Sequence, residues 1–446
     1  MPDNKHVVII GNGISGITAA RHLRKHSKCR ITVISGESDY FYSRTALMYV
    51  YMGHMKFENT KPYEDWFWKK NEIDLVKAWV QEVDTKEKRL KLDGVEDITY
   101  DVLVLATGSV SNKFGWPGQE AKGVSSLYHK QDLEYIEEYS SKMNRAVIVG
   151  GGLIGIELAE MLHSRQIDVT LLVREENFWD VVMPLEEAQM INQEIRDHHI
   201  DLRLTTELKE IKIGEDGAVV GVVTNQDEQI ECQFVGLTVG VSPNVKWLAA
   251  SGLEIKRGIV VNEFLETNIA DVYAIGDCAE HNVPSPGRRP VEQVWYTGRM
   301  MGEVVAQTIL GNPTAYKPGI WFNSAKFFNI EYQTYGTVTP TLAEGHDQFF
   351  WQTDDGKISF RVVFDASDRS VLGLNVLGIR MRHEVWDEWI RNGEKIEVVM
   401  AQLERANFDP EFFNKYEYAI REIFNQKFEH LAIENQKPSL LKRIFS

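Results

Sequence analysis

The chain has 446 residues and a formal net charge of −16 at pH 7; it is too long for one ordinary hydrophobic core, so several domains are expected. An acidic chain of ordinary apolar content, with no run near the roughly eighteen apolar residues of a membrane span, excludes nonspecific binding to nucleic acid or anionic lipid and leaves small molecules or basic proteins as partners. Cys29, Cys232 and Cys278 are too widely spaced for a disulfide framework or a metal site, and with an apolar strand starting a few residues after Met1 they predict a cytoplasmic protein without a signal peptide or a bound metal.

In chain order, Val7-Val-Ile-Ile10 leads into Gly11-Asn-Gly13-Ile-Ser-Gly16, a helix, and the strand Arg30–Ile34 closing at Glu37. That order predicts a βαβ unit holding a dinucleotide: Gly11 for a tight turn, Gly13 for approach of backbone to pyrophosphate, Gly16 for close helix packing, and Glu37 for a ribose hydroxyl. Asp101–Gly108 reads as a buried parallel strand ending in the small residues Thr107 and Gly108. A second copy follows: Ala146–Val149, then Gly150-Gly-Gly152-Leu-Ile-Gly155, a helix, and Val169–Leu172 leading to Arg174 and Glu175. In both copies the acid lies about twenty positions beyond the last glycine, the separation a helix and return strand require. A duplication retained only for structure is the other reading, disfavoured by the phosphate-binding detail surviving in both.

Phe234–Gly240 closes the second unit as Asp101–Gly108 closes the first, and Asp271–Ala279 runs through Gly276 into Asp277, a carboxylate placed to bond a sugar-alcohol chain. Val291–Trp295 precedes a helical stretch through Gly298, Gly302 and Ala306, and Trp321 opens a third region. Amphipathic helices are expected around Val385–Ile390, over Ile396–Glu404 and over Pro410–Asn425, serving as a helical cap, a homodimer surface or an acceptor dock. The closing Ser439–Ser446 is basic and apolar but too short for a firm membrane anchor.

These motifs resemble the two-dinucleotide flavoprotein reductases, which include glutathione, ferredoxin and rubredoxin reductases, NADH oxidases and apoptosis-inducing factor. The likeness covers roughly the first three quarters of the chain by motif order. It implies an α/β fold of two Rossmann-like domains, the FAD-binding one discontinuous (1–112 and 241–318) around an NAD(P)H-binding one (113–240), then a C-terminal α+β domain with a helical extension (319–446). By resemblance the first unit and Asp277 hold FAD, and the second holds NADH or NADPH. Glu175 favours NADH and its neighbour Arg174 favours the extra phosphate of NADPH; repetition of the Glu37 register tips the expectation to NADH.

The resemblance also implies that Arg44, in Tyr42-Ser-Arg44, lies against the flavin and that Glu157 projects towards the flavin and nicotinamide rings. Tyr49 stands where several relatives have the lysine that pairs with that glutamate, and Trp295 and Trp321 are the implied aromatic neighbours of the flavin. Disulfide reductases need two cysteines in the stretch Tyr42–Gly53 and peroxidase relatives need one; this chain has none there. The expected function is hydride transfer from NAD(P)H to flavin N5, then electron delivery to a small redox protein such as ferredoxin or rubredoxin. Quinone or oxygen reduction, and slow redox sensing, are the alternatives.

Overall fold

The computed structural model describes residues 4–409, 411–412 and 414–433. The chain divides into two compact units, Met1–Leu172 with Thr206–Pro318, and Val173–Thr205 with Gly319–Ser446.

In the first unit the β-branched run at the amino terminus becomes the strand His6–Ile10, whose Val7, Val8 and Ile9 are fully buried. A strand apolar on both faces needs neighbours on both sides, and it has them: Arg30–Ser35 on one edge and Val102–Leu105 on the other. Ile73–Lys77 and Val272–Ala274 extend the sheet outward, and all these pairings are parallel. The register sets Ile10 beside both Ile34 and Leu105, and Leu105 beside Ala274. Four strands therefore end together, and the chain leaves them at one edge through Gly11, Gly36–Glu37, Ala106–Ser109 and Gly276–Asp277. That edge is where open parallel sheets take their ligands.

The second copy repeats the pattern. Arg145–Val149 lies between Asp168–Leu172 and Phe234–Leu237, with Val124–Ser125 beyond, all parallel. An antiparallel sheet of Leu208–Ile213, Val219–Thr224 and Gln229–Glu231 shares a core with it through Val147, Val222, Ile230 and Val235. Between the two copies the chain goes out through Ser109–Ser111 and returns through Val241–Pro243, paired as an antiparallel ribbon.

The second unit is built on an antiparallel sheet in the order Phe322–Phe327, Ile330–Gly336, Val371–Leu377, Ser359–Asp365, His346–Gln352. The helices His383–Asn392, Ile396–Ala401 and Glu417–Lys427 share its core, in which Trp386 and Trp389 meet edge to face at 5.2 Å. The segment from Val173 to Thr205 joins this unit through its helix Leu185–Asp197. Fully buried Arg361 donates to both Glu187 oxygens (2.7 and 2.8 Å) and to Glu186 (2.7 Å).

Two expected helices are corrected. The one over Ile396–Glu404 ends at Ala401 and continues as a tighter turn over Leu403–Ala406; the one expected from Pro410 starts at Glu417. The Asn407 amide donates to Glu417 Oε1 at 2.7 Å, which ties the start of the later helix to the preceding loop through a bond local periodicity does not reveal. Pro410 and the tail Ser439–Ser446 lie outside the described residues. Among the described residues, no helix is long and apolar enough to cross a membrane.

Candidate active site

The strand ends of the first sheet open onto a cavity of about 560 Å³, a volume suited to a cofactor. Gly11, Gly13, Glu37, Arg44, Thr107, Gly108, Asp277 and Trp295 line it, and so does Glu157, from the helix Leu153–Ser164 of the second copy.

The glycine loops turn and pack as the sequence spacing leads one to expect, and in the same way twice. Gly11 and Gly150 turn at φ +113 and +123, where a side chain would strike the carbonyl of Ala106 or Thr238. Gly16 and Gly155 press on the carbonyls of Gly11 and Gly150. A Cβ on Gly13 or Gly152 would meet nothing within 4 Å, so at these positions the backbone borders open space at a helix N-terminus, the setting in which N–H groups receive a diphosphate. The residues therefore fit two dinucleotides. Among the described residues there is no cluster of His, Cys, Asp and Glu suited to a metal ion.

At one end, Glu37 accepts from Arg44 Nη1 and Nη2 (2.9 and 2.7 Å), from the Lys130 backbone N–H (3.0 Å) and from the Tyr42 hydroxyl, with His129 Nδ1 at 3.3 Å. Burial pushes its carboxyl up, but the bonds from His129 and Arg44 outweigh burial and hold it well below the usual carboxylate range. Arg44 also donates to the Tyr128 carbonyl and sits over the Tyr128 ring, 4.6 Å from its centroid.

At the other end, Asp277 accepts from Ser109 Oγ (3.0 Å) and the Tyr128 hydroxyl (3.2 Å), and Gln293 Nε2 donates to Ser109 Oγ at 2.8 Å. Burial raises the Asp277 carboxyl despite those two donors. Gly276, just before it, adopts φ +71 against the Ser15 side chain. Thr107 and Gly108 are fixed by Asn244, whose carbonyl accepts from Thr107 Oγ1 (3.0 Å) and whose N–H donates to Gly108 (2.9 Å).

Glu157 faces a wall that includes Leu47 and Met48 from the short helix Leu47–Tyr51. Burial, then the neighbouring charge of Glu160, pushes its carboxyl up to about 7. Tyr49 is on that short helix but stacks on His54, ring centroids 6.0 Å apart, and Met48 supplies the cavity wall instead. Arg174 and Glu175 pair with each other at 2.6 Å just after the strand Asp168–Leu172. Trp321 precedes the first strand of the second unit, its carbonyl accepting from Gly336 N at 2.7 Å. The cysteines are free and buried. Cys278 adjoins Asp277 but turns its thiol to the carbonyls of Leu105 and Ile275 (3.4 and 3.3 Å), and burial raises the Cys278 thiol and pushes that of Cys232 up to about 12.

Sequence reading missed Tyr128, His129, Ser109 and Gln293. Ser109 directly follows Gly108, so extending that motif by one residue would have found it. Tyr128 and His129 reach the site only through the tertiary fold.

Fold and site together define an oxidoreductase that holds FAD and draws on NAD(P)H. Comparison with known proteins agrees: residues 5–302 match the pyridine nucleotide-disulphide oxidoreductase family, and the chain belongs to it. It is 30% identical to the 5,5'-dehydrodivanillate O-demethylase ferredoxin reductase subunit of Sphingobium sp. over 80% of this chain and 86% of that one. It is 32% identical to the NAD(P)H coenzyme A polysulfide/persulfide reductase of Pyrococcus horikoshii over 84% and 87%. Against the nitrite reductase [NAD(P)H] of Bacillus subtilis it is 31% identical over 62% of this chain, spanning 34% of that longer protein. The fold is shared with putidaredoxin reductase in its covalent complex with putidaredoxin, at a TM-score of 0.77 and 21% identity over 95% of this chain and 99% of that one.

Proposed function

We propose that this chain takes electrons from NADH and passes them, through FAD and without a protein disulfide, to a small redox protein of the ferredoxin or rubredoxin kind. The observation that carries the reading is that Glu157, on the helix of the second glycine loop, opens into the same cavity as Glu37 and Asp277 of the first. One cavity shared by both copies is what stacking of nicotinamide on flavin requires. The residues of this cavity would hold FAD, and the chemistry it would supply is acceptance of hydride from the nicotinamide and release of electrons singly or in pairs.

The chain's residues then divide the work. Gly11, Gly13 and Gly16 turn a helix N-terminus to the FAD diphosphate, and Gly150, Gly152 and Gly155 do the same for the nicotinamide dinucleotide. Asp277, oriented by Ser109 and Tyr128, takes the ribityl hydroxyls. Glu37 takes the adenosine ribose in exchange for one of its present donors, because the acceptor positions of a carboxylate, about four, are already used; Arg44, long and partly exposed, has room to move aside. Glu157 offers a carboxyl beside the reacting rings, and among the described residues no lysine pairs with it there: Tyr49, at the position several relatives fill with lysine, stacks on His54 instead. Trp295 walls the flavin side. We read 113–240 as the nicotinamide module, inserted through the ribbon at Ser109–Ser111 and Val241–Pro243 between the parts 1–112 and 241–318 of the FAD module, with its stretch Val173–Thr205 packed into the second unit.

The polysulfide reductase of Pyrococcus horikoshii raises sulfur as another acceptor. The absence of a cysteine between Tyr42 and Gly53 and the buried, raised thiol of Cys278 favour a redox protein. Anaerobic stopped-flow mixing tests electron input: NADH should bleach bound flavin faster than NADPH, and failure of both would refute the proposal. Turnover with ferredoxin and rubredoxin tests output; faster turnover with quinone, oxygen or polysulfide would replace the acceptor named here.

A further inference from the structure

We propose that the indole of Trp79 is the stacking surface for the adenine of bound FAD, so that this side chain makes the cavity prefer the dinucleotide to flavins lacking adenosine. The inference rests on the FAD reading of the first glycine loop.

Trp79 lies on the cavity wall and is 57% exposed, so its indole has a face open to a ligand in the cavity. Its position is fixed by backbone: Ala78 N donates to Ser35 O at 3.1 Å, and Asp93 N donates to Trp79 O at 2.9 Å. Those bonds hold it beside Gly36, and a Cβ on Gly36 would stand 2.1 Å from Cδ2 of the indole. The ring therefore rests against bare backbone one residue before Glu37. A base attached to a ribose held by Glu37 must leave the sugar within a few ångströms of that carboxylate. The walls there are Gly36, Ala78, Trp79 and Val80, which are small or apolar except for one flat aromatic ring. A purine is the part of FAD that such a ring recognises.

FAD release from the holoenzyme after dilution, followed by the rise in flavin fluorescence, reads the effect in Trp79→Leu, Trp79→Phe and Gly36→Ala. Base–aromatic stacking implies a release constant raised on the order of tenfold in Trp79→Leu, which keeps an apolar cover but has no π face, and in Gly36→Ala, which displaces the indole. Trp79→Phe should stay within roughly threefold of wild type, since a π face remains. In protein labelled with 5-fluorotryptophan, the resonance missing from Trp79→Phe should shift when FAD is released. Release at the wild-type rate from Trp79→Leu, equal weakness of the Phe and Leu variants, or an unmoved resonance would each overturn the stacking role. Wild-type protein that holds no FAD would instead sink the cofactor reading beneath it.

Discussion

Glu157 is an acid whose folded state prefers the neutral form, and the sign of the consequence follows. Below the ordinary carboxylate range the group is protonated folded or unfolded and contributes nothing. As pH rises from there to about 7, the folded protein keeps a proton that the unfolded chain has lost, and above that value it carries a half-buried charge that destabilises it. Glu157→Gln should therefore melt higher than wild type at pH 8, by up to about 3 kcal/mol in stability, with the difference gone at pH 4. Thermal melts across pH measure this, and a constant difference at every pH would contradict it. The same substitution should remove any inflection near neutral pH from the rate of flavin reduction. Asp277→Asn is the second residue-scale test: it replaces one acceptor oxygen of a charged group by a donor, and FAD retention should fall on the order of tenfold to a hundredfold.

At the scale of elements, the two glycine loops are alike in geometry but are assigned different ligands, so equivalent substitutions should give different phenotypes. Gly13→Val fills the open space before the helix Ile14–His26 and should yield colourless protein. Gly152→Val fills the corresponding space before Leu153–Ser164 and should yield yellow protein with a KM for NADH raised about tenfold or more. Absorbance at purification and steady-state kinetics separate the two, and yellow Gly13→Val protein would reverse the assignment. Both loops were legible in sequence because a turn, an approach and a packing contact each demand glycine at fixed spacing. The helix boundaries after Ile396 were not: the chain shortens to a tighter turn over Leu403–Ala406, and the Asn407–Glu417 bond that ties the next helix to this loop joins residues more than one helical period apart.

Across the whole molecule, the second unit depends on a buried charge. Arg361 is 1% exposed and Glu187 is fully buried, and burial raises the Glu187 carboxyl while Arg361 opposes it. Arg361→Met leaves that acid without its cation and should destabilise the protein by about 3–5 kcal/mol, whereas Arg361→Met with Glu187→Leu should recover much of the loss. Equilibrium urea unfolding measures both. A double variant no better than the single would mean that the pair is held for its geometry instead.

The sequence by itself determined the repeated dinucleotide unit, the parallel sheets, the acids Glu37 and Asp277 and the lack of sulfur between Tyr42 and Gly53. Each of these is written in local periodicity or in spacing that a strand and a helix enforce. Only the tertiary structure decided that Tyr128 ties Arg44 to Asp277, that Met48 rather than Tyr49 forms the wall near Glu157, and that Val173–Thr205 joins the C-terminal sheet through Arg361. Those contacts join residues far apart in the chain, and their identity depends on how the sheets stack and which side chains fill the space between them, which no local pattern encodes.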